Sequence, residues 1–431
     1  MEKSTFKNAM RNCVVVCVLV FVAQLLFLPR VMGTPQNTWV ATWAASPQPV
    51  DAGPNEPLLK IEDQTVRERV RVSIGGAQVR IRFSNEHGSS SLLIGSATVA
   101  VPNDASSVKP GSIQTVTFGG RNSVTIAAGA PVLSDPVDFS VRSGAEISIS
   151  LYLPKRVATP TLHWLALKHA VVSQHGDHAR AEKIEGSAVS RSAILVSAVL
   201  VPAQPSQRLV VAFGDSLTDG DGSTVDADHN WPSDLARRLG KTPEASQVAV
   251  VNAGIAGNRL LSDCFMVRVG CFGVSALARF DRDALAMPGV THIVLLEGIN
   301  DIGFPGARVG GQYLADPADV RTAEDLIDAY RQLISRAHAI GVKLIGATIT
   351  PFEGVDVPGY YSEAKEVTRQ AVNKWIRTSG SFDGVIDFDV VLRNPDHPGR
   401  LLPKFASEDH LHPNDDGYRA MADAIDLALF K

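Results

Sequence analysis

The sequence predicts an α/β protein in which a C-terminal three-layer α/β/α domain with a parallel sheet follows an N-terminal β-sandwich domain. Three observations predict it. From about Trp39 to Pro205, short runs alternate apolar and polar residues with no long amphipathic helix among them. From Leu209 onward, short unbroken apolar runs alternate with segments of helical periodicity. The polar motifs suited to chemistry then fall just after those apolar runs, or just before the last helix. Alternation suits strands with one face on a core, whereas continuous apolar strands suit a parallel sheet covered on both faces.

The chain has 431 residues, 45% of them hydrophobic and 20% charged, enough for two cores. Residues 1–33 read as a leader. Lys3, Lys7 and Arg11 precede a run of mostly apolar residues from Cys13 to Leu28, and a short segment closes on Gly33. That order of positive, apolar and small residues is a secretory signal peptide, and the run is slightly short for a retained membrane anchor. The expectation is a cleaved leader and a secreted protein, extracellular or periplasmic, with no stable membrane insertion. Cleavage removes four cations and one anion, taking the formal charge from −4 to about −7. No basic face of the kind nucleic acid requires is visible. Cys13 and Cys17 leave with the leader, so Cys264 and Cys271 remain. In an oxidising compartment the expected state of that pair is a disulfide, contributing about 2.5 kcal/mol in the chain-entropy model.

Within 34–205, VRERVRVSI (66–74) and AQVRIRFS (77–84) flank Gly75-Gly76 and read as a half-buried hairpin. SIQTVTF, SVTIAA, EISISLYL and SAILVSAVLV extend the strand pattern, which is that of a β-sandwich. The connection Gln204–Gln207 marks the boundary, and 206–431 is the second domain. There LVVAF, VAVVNAG, THIVLLEG, VKLIGATIT and GVIDFD are strand-like. A helix enters at Pro232, and 323–340 carries Leu326, Tyr330, Leu333, Ile334 and Ala337 on one face. Further helices cover 362–376 and follow Asp415.

Four motifs suit acyl transfer. GDSLTDG (214–220) places Ser216 on a strand-to-helix turn, near backbone N–H groups. NAGIAG (252–257) and EGIND (297–301) follow the next strands, and DHLHPND (409–415) precedes the final helix with Asp409 and His412 three residues apart. A serine hydroxyl is a poor nucleophile without a base beside it, and the base needs a carboxylate to fix its tautomer. The oxyanion of the tetrahedral intermediate needs preorganised donors, which the N–H groups of Ser216 and Gly257 and the Asn300 amide can supply. The elbow G-x-S-x-G, the phosphate-binding G-x-x-x-x-G-K-[ST] and the zinc motif H-E-x-x-H are absent.

These four blocks, in this order and spacing over roughly 207–431, resemble the SGNH (GDSL-type) hydrolase family. The stretches Asn230-Trp231-Pro232, SALARFDRDAL, LEGINDIG and DHLHPNDDGY are similar to its branch typified by a rumen-bacterial xylan esterase. An arginine often precedes Trp-Pro in that branch, and Asn230 stands there here. The resemblance implies Ser216 as nucleophile, His412 as base with Asp409 as its partner, and an oxyanion hole of Ser216, Gly257 and Asn300. It implies a serine ester hydrolase working through an acyl-enzyme, without cofactor. The expected substrate is an ester, an acetylated or otherwise short-acylated carbohydrate such as xylan. Two alternatives stand beside it: a lipase or lysophospholipase-type acylhydrolase for longer chains, and a non-catalytic glycan-binding protein. The loop 304–314 is too polar to argue for a lipase lid.

Each motif also has a structural reading: Ser216 capping a helix, Gly257 and Asn300 in ordinary turns, Asp409 and His412 capping the last helix. Their occurrence together favours chemistry. His412 is preferred to His410, whose side chain diverges from its neighbour Asp409. Asp215 reads as a loop-fixing acceptor and Glu297 as an arginine's salt-bridge partner. His163, His169, His175 and His178 lack metal-ligand spacing, so no metal site is expected. Asn85, Glu86 and His87 read as a turn.

Overall fold

Five strands build the parallel sheet of the C-terminal segment: Arg208–Gly214, Val248–Gly254, Val290–Leu296, Lys343–Ala347 and Gly384–Ile386. The structure, a computed structural model, describes residues 39–49, 61–189, 192–243, 247–263 and 272–431. The leader at 1–33 and the Cys264–Cys271 pairing lie outside the described residues. All pairings in the sheet are parallel, and its spatial order is second, first, third, fourth, fifth. Leu209 through Phe213 are completely buried, which explains the unbroken apolar run. Helices Trp231–Gly240, Phe388–Leu392 and Asp415–Ala424 form one packed group, and Ala276–Phe280, Ala323–Ala339 and Glu363–Thr378 form another. The two groups cover the two faces, giving three layers.

Local sequence sets the helix starts. Thr322 and Asp325 exchange side-chain and backbone hydrogen bonds, a capping box that begins the helix at Ala323. Asn230 accepts the Ser233 N–H and so caps Trp231–Gly240. The residue that replaces the branch's arginine is therefore an N-cap.

The strand-rich segment forms two large antiparallel sheets, beside two-stranded pairs of Leu162–His163 with Ala193–Ile194 and of Leu92–Ile94 with Val124–Ile126. One runs Trp39–Ala44, Val196–Pro202, Arg80–Asn85, Ala130–Leu133. The other runs Gly186–Val189, Ala170–His175, Gln64–Arg71, Glu146–Leu153, Ser96–Ala100, Gln114–Val116. Ile81, Phe83 and Val199 of the first and Val66, Ile149 and Leu151 of the second share one core.

The expected hairpin at Gly75-Gly76 does not form. Gln64–Arg71 pairs with Glu146–Leu153, whereas Arg80–Asn85 pairs with Val196–Pro202 in the other sheet. The glycines instead carry the chain across between the sheets at close quarters. A Cβ at Gly75 would lie 2.3 Å from the Val141 carbonyl oxygen, and one at Gly76 would lie 2.8 Å from Val201 Cβ. Alternation identified both strands, but partner choice depended on packing that only the crossing permits. Nor do all the polar positions face water. Arg67 is buried, its guanidinium donating to Ser150 Oγ and to the carbonyls of Ser106 and Ala181.

The two segments share one compact unit, residues 39–431. Val248–Gly254 is an edge strand of the parallel sheet, and its Val250 N–H donates to Ser73 Oγ of the strand-rich segment at 3.1 Å. The Ala41 N–H donates to Pro288 O at 2.9 Å. Arg71 and Lys168 both bond Asp228, at 2.6 and 2.8 Å, and hold the loop after the first parallel strand. An edge strand covered in this way is protected from pairing with other chains.

A chain beginning at Gln207 should therefore aggregate, because it bares the Val248–Gly254 edge and the apolar surface beside it. Light scattering of the purified fragment tests this; a monodisperse, folded fragment would contradict the interdependence of the segments.

Candidate active site

In a sheet of order 2-1-3-4-5, ligands meet the carboxyl ends of the strands where the chain reverses direction across the sheet, beside the first and third strands. The sequence places Ser216 after the first strand, Gly257 after the second and Asn300 after the third. Ser216 opens a four-residue helix, Ser216–Asp219. Asp215 caps it by accepting the Leu217 N–H at 3.0 Å, the acceptor role read from sequence.

His412 comes to Ser216 from the loop before the last helix. His412 Nε2 lies 2.8 Å from Ser216 Oγ, and His412 Nδ1 lies 2.5 Å from Asp409 Oδ2. The Asp409 carboxylate only accepts, so Nδ1 carries the proton and Nε2 is left to accept from the serine hydroxyl. The second Asp409 oxygen accepts Ser407 Oγ–H and the N–H groups of Leu411 and His412. Despite burial, these donors and the His412 charge hold Asp409 well below the usual carboxylate range. Burial alone would lower His412; the Asp409 hydrogen bond and the negative charges of Asp221, Asp409 and Asp215 outweigh it and raise it. His410 is exposed, with φ at 58°.

Gly257 must be glycine on two counts. Its φ is +73°, and a Cβ there would lie 2.4 Å from the Phe272 ring. Asn300 is oriented from both ends: Nδ2 donates to Asn258 O at 2.9 Å, and Oδ1 accepts from the Tyr360 hydroxyl at 2.8 Å. The amide keeps a second N–H beyond the one given to Asn258. Asp301 takes the Leu260 and Leu261 N–H groups at 2.6 and 2.9 Å, pinning the chain after Gly257 to the third-strand block. The structure thus brings Ser216, His412 and Asp409 into one hydrogen-bonded line.

Beneath these loops lies Arg279, which the sequence reading passed over. It donates to Gly214 O and Asn258 Oδ1 at 2.7 Å each and to Ala253 O at 2.8 Å, with Asp283 at 3.3 Å. A signal was available: Ala276, Arg279 and Phe280 share the buried face of one short helix, where an arginine is out of place unless it is bonded. Glu297 faces Arg279 at 3.8 Å, beyond hydrogen-bonding reach, so the expected salt bridge is only a loose ion contact. Burial, then the Asp215 charge, push Glu297 well above the carboxylate range, and burial pushes Asp215 up to about 7.

The four histidines weighed for metal disperse. His163 bonds Asp219, His169 bonds Asp226, His175 is largely exposed, and His178 reaches the His175 carbonyl. Asn85 Nδ2 donates to the carbonyls of Ser90 and Ala127, which makes it a turn-closing residue. A cavity of about 270 Å³ between the segments is lined by Trp43, Glu68, Lys168, Asn230 and Val251, but by none of Ser216, Gly257, Asn300 or His412. It reaches the underside of the site, since His163 and Asp219, the last residue of the Ser216 helix, also line it.

A sequence profile of the GDSL-like lipase/acylhydrolase family matches residues 212–420. No curated protein sequence matches the chain. Among solved structures, a putative lipolytic protein of the G-D-S-L family from Desulfitobacterium hafniense is similar at 20% identity and a TM-score of 0.36, covering 50% of this chain and 96% of its own. A GDSL-like lipase from Bacteroides thetaiotaomicron is similar at 18% identity and 0.36, covering 53% and 90%. A variant of an acetyl-xylooligosaccharide esterase from Geobacillus is similar at 20% identity and 0.35, covering 51% and 92%.

Arg279→Met should destabilise the protein by about 3–5 kcal/mol, because it strips buried carbonyls and Asp283 of their partner. A urea midpoint unchanged from wild type would refute the role given to this guanidinium.

Proposed function

We propose that the chain, whose residues 212–420 match the profile of the GDSL-like lipase/acylhydrolase family, is a secreted serine esterase that removes acetyl or similarly short acyl groups from carbohydrate. The observation that carries the reading is the Asp409–His412–Ser216 line, with 2.5 and 2.8 Å contacts. In the proposed reaction Ser216 Oγ attacks the ester carbonyl carbon while its proton passes to His412 Nε2. The C=O electrons move to oxygen, and the N–H groups of Ser216 and Gly257 and the Asn300 amide receive that oxyanion. Collapse expels the alcohol, which takes the proton from His412 and leaves an acyl-serine. Water, giving a proton to His412, then bonds the acyl carbon; the acyl–Oγ bond breaks, Oγ takes that proton back from His412, and the acid leaves and ionises in solvent.

The short-acyl preference rests on the motifs shared with the xylan-esterase branch, from Asn230-Trp231-Pro232 to DHLHPNDDGY. Carbohydrate as the alcohol rests on the family branch that the motifs resemble, and export rests on the leader pattern at 1–33. The hydrogen-bonded line of catalytic residue types argues against a purely glycan-binding role.

Ser216→Ala should lower kcat on the order of 10⁴–10⁶-fold in a folded protein. A fluorophosphonate should label wild type at Ser216 alone. Assays of p-nitrophenyl esters from acetate to palmitate, beside acetylated xylan, should favour acetate and release acetate from polymer; preference for palmitate would refute the short-acyl reading.

The pH profile carries a second expectation. His412 acts as base only when neutral, so activity should rise with pH through its raised pKa. Asp409→Asn removes a cause of that raise, so the acid limb should move to lower pH while kcat falls by as much as about 10⁴-fold. An acid limb at the same pH in Asp409→Asn would mean that another group titrates there.

A further inference from the structure

Asp219 closes the short helix that Ser216 opens, and it is almost fully buried. Its Oδ2 accepts the N–H of Ala256, the residue before Gly257, at 2.9 Å. Its Oδ1 lies 2.9 Å from Nε2 of His163, which the strand-rich segment supplies. The other His163 nitrogen, Nδ1, lies 3.0 Å from Ser46 O. A carbonyl oxygen only accepts, so Nδ1 carries a proton. A single proton lies between His163 Nε2 and Asp219 Oδ1, and held on the nitrogen it makes the ring an imidazolium beside a carboxylate.

The loop beyond Asp219 shows what this ion pair holds. Asn258 N–H donates to Ile255 O at 3.0 Å, and Gly257 has φ +73°, which fits a type II turn with Ala256 and Gly257 at its centre. The peptide between those two residues bears the Gly257 N–H, and its orientation sets where that N–H points. Asp219 grips this turn at Ala256.

We propose that His163 is held as an imidazolium and serves as a positioning residue for the oxyanion hole, acting through Asp219 on the Ala256–Gly257 backbone. The proposal rests on the assignment of Gly257 to that hole. The surrounding charges agree with it. Burial lowers the His163 pKa, but the Asp219 charge and hydrogen bond outweigh burial and raise it from the ordinary histidine value, with the Arg279 charge opposing. The strand-rich segment thereby contributes to catalysis without touching substrate.

Two measurements decide it. In wild-type protein labelled with ¹⁵N-histidine at pH 7.5, both His163 ring nitrogens should resonate as protonated, and Asp219→Asn should remove one of those protons. A neutral His163 in wild type overturns the proposal, whatever the activity. In folded His163→Gln, kcat per fluorophosphonate-titrated site should fall about tenfold with KM within twofold, short of the 10²–10³-fold typical of deleting an oxyanion donor outright. A merely structural role would lower the melting temperature and the titrated fraction but leave kcat per site unchanged, and that result also overturns the proposal. Failure of the phosphonate to label wild type would instead undo the underlying esterase reading, leaving the NMR result to stand alone.

Discussion

The Arg279 guanidinium, fully withdrawn from solvent, ties together the ends of the strands from which the candidate active site grows. It bonds the carbonyl at the end of the first parallel strand, Gly214, and that of Ala253 in the second. It also bonds the Asn258 side chain in the turn beyond Gly257, and its Cζ lies 4.1 Å from the Phe213 ring centre. Removing a cation from water is costly, and the cost is offset only when the donors are satisfied and a counter-charge is near. Asp283 at 3.3 Å supplies the counter-charge, and the carbonyls take up the remaining donors. Because one planar group spans both strand ends, the Ser216 and Gly257 loops hold a fixed relation to each other.

A second layer of constraint arrives from the strand-rich segment. Ser46 touches both Arg279 and His163: its hydroxyl lies 3.4 Å from the first and its carbonyl 3.0 Å from the second. Asp226 and Asp228, in the loop after the Ser216 helix, are bound by Arg69, Arg71, Lys168 and His169. The strand-rich segment therefore fixes the serine helix from below and its following loop from the side. Such partly buried pairs are sensitive to losing one partner, which makes the two segments energetically inseparable at this seam.

Buried acids are the price of this arrangement. Asp215, Glu297 and Asp301 are all raised by burial, and Glu297 and Asp215 act on each other as well. Each sits next to a motif residue: Asp215 caps the serine helix, and Asp301 holds the chain beyond Gly257. Stability given up here supports precise placement of the groups above, as is common where function rather than folding selects the residues.

Much of the fold was legible in the sequence because hydrophobic period reports local geometry. Unbroken LVVAF and VAVV announced a doubly covered parallel sheet, and the helix expected over 323–340 followed from its apolar spacing. Ser216, His412 and Asp409 were also legible, since their chemistry demands those residue types and two of them are three residues apart. What periodicity could not report was pairing. The strands flanking Gly75-Gly76 alternate as a hairpin would, yet join different sheets, the chain crossing between them close against Val141 and Val201. The same limit hid Arg279 and His163, whose partners lie up to 233 and 117 positions away in the chain. Sequence by itself determined which elements form and which side chains can do the chemistry, because propensity and residue type act locally. Only the tertiary structure decided which distant backbone groups hold those side chains in place, because a buried charge is stable only where folding has already gathered its partners.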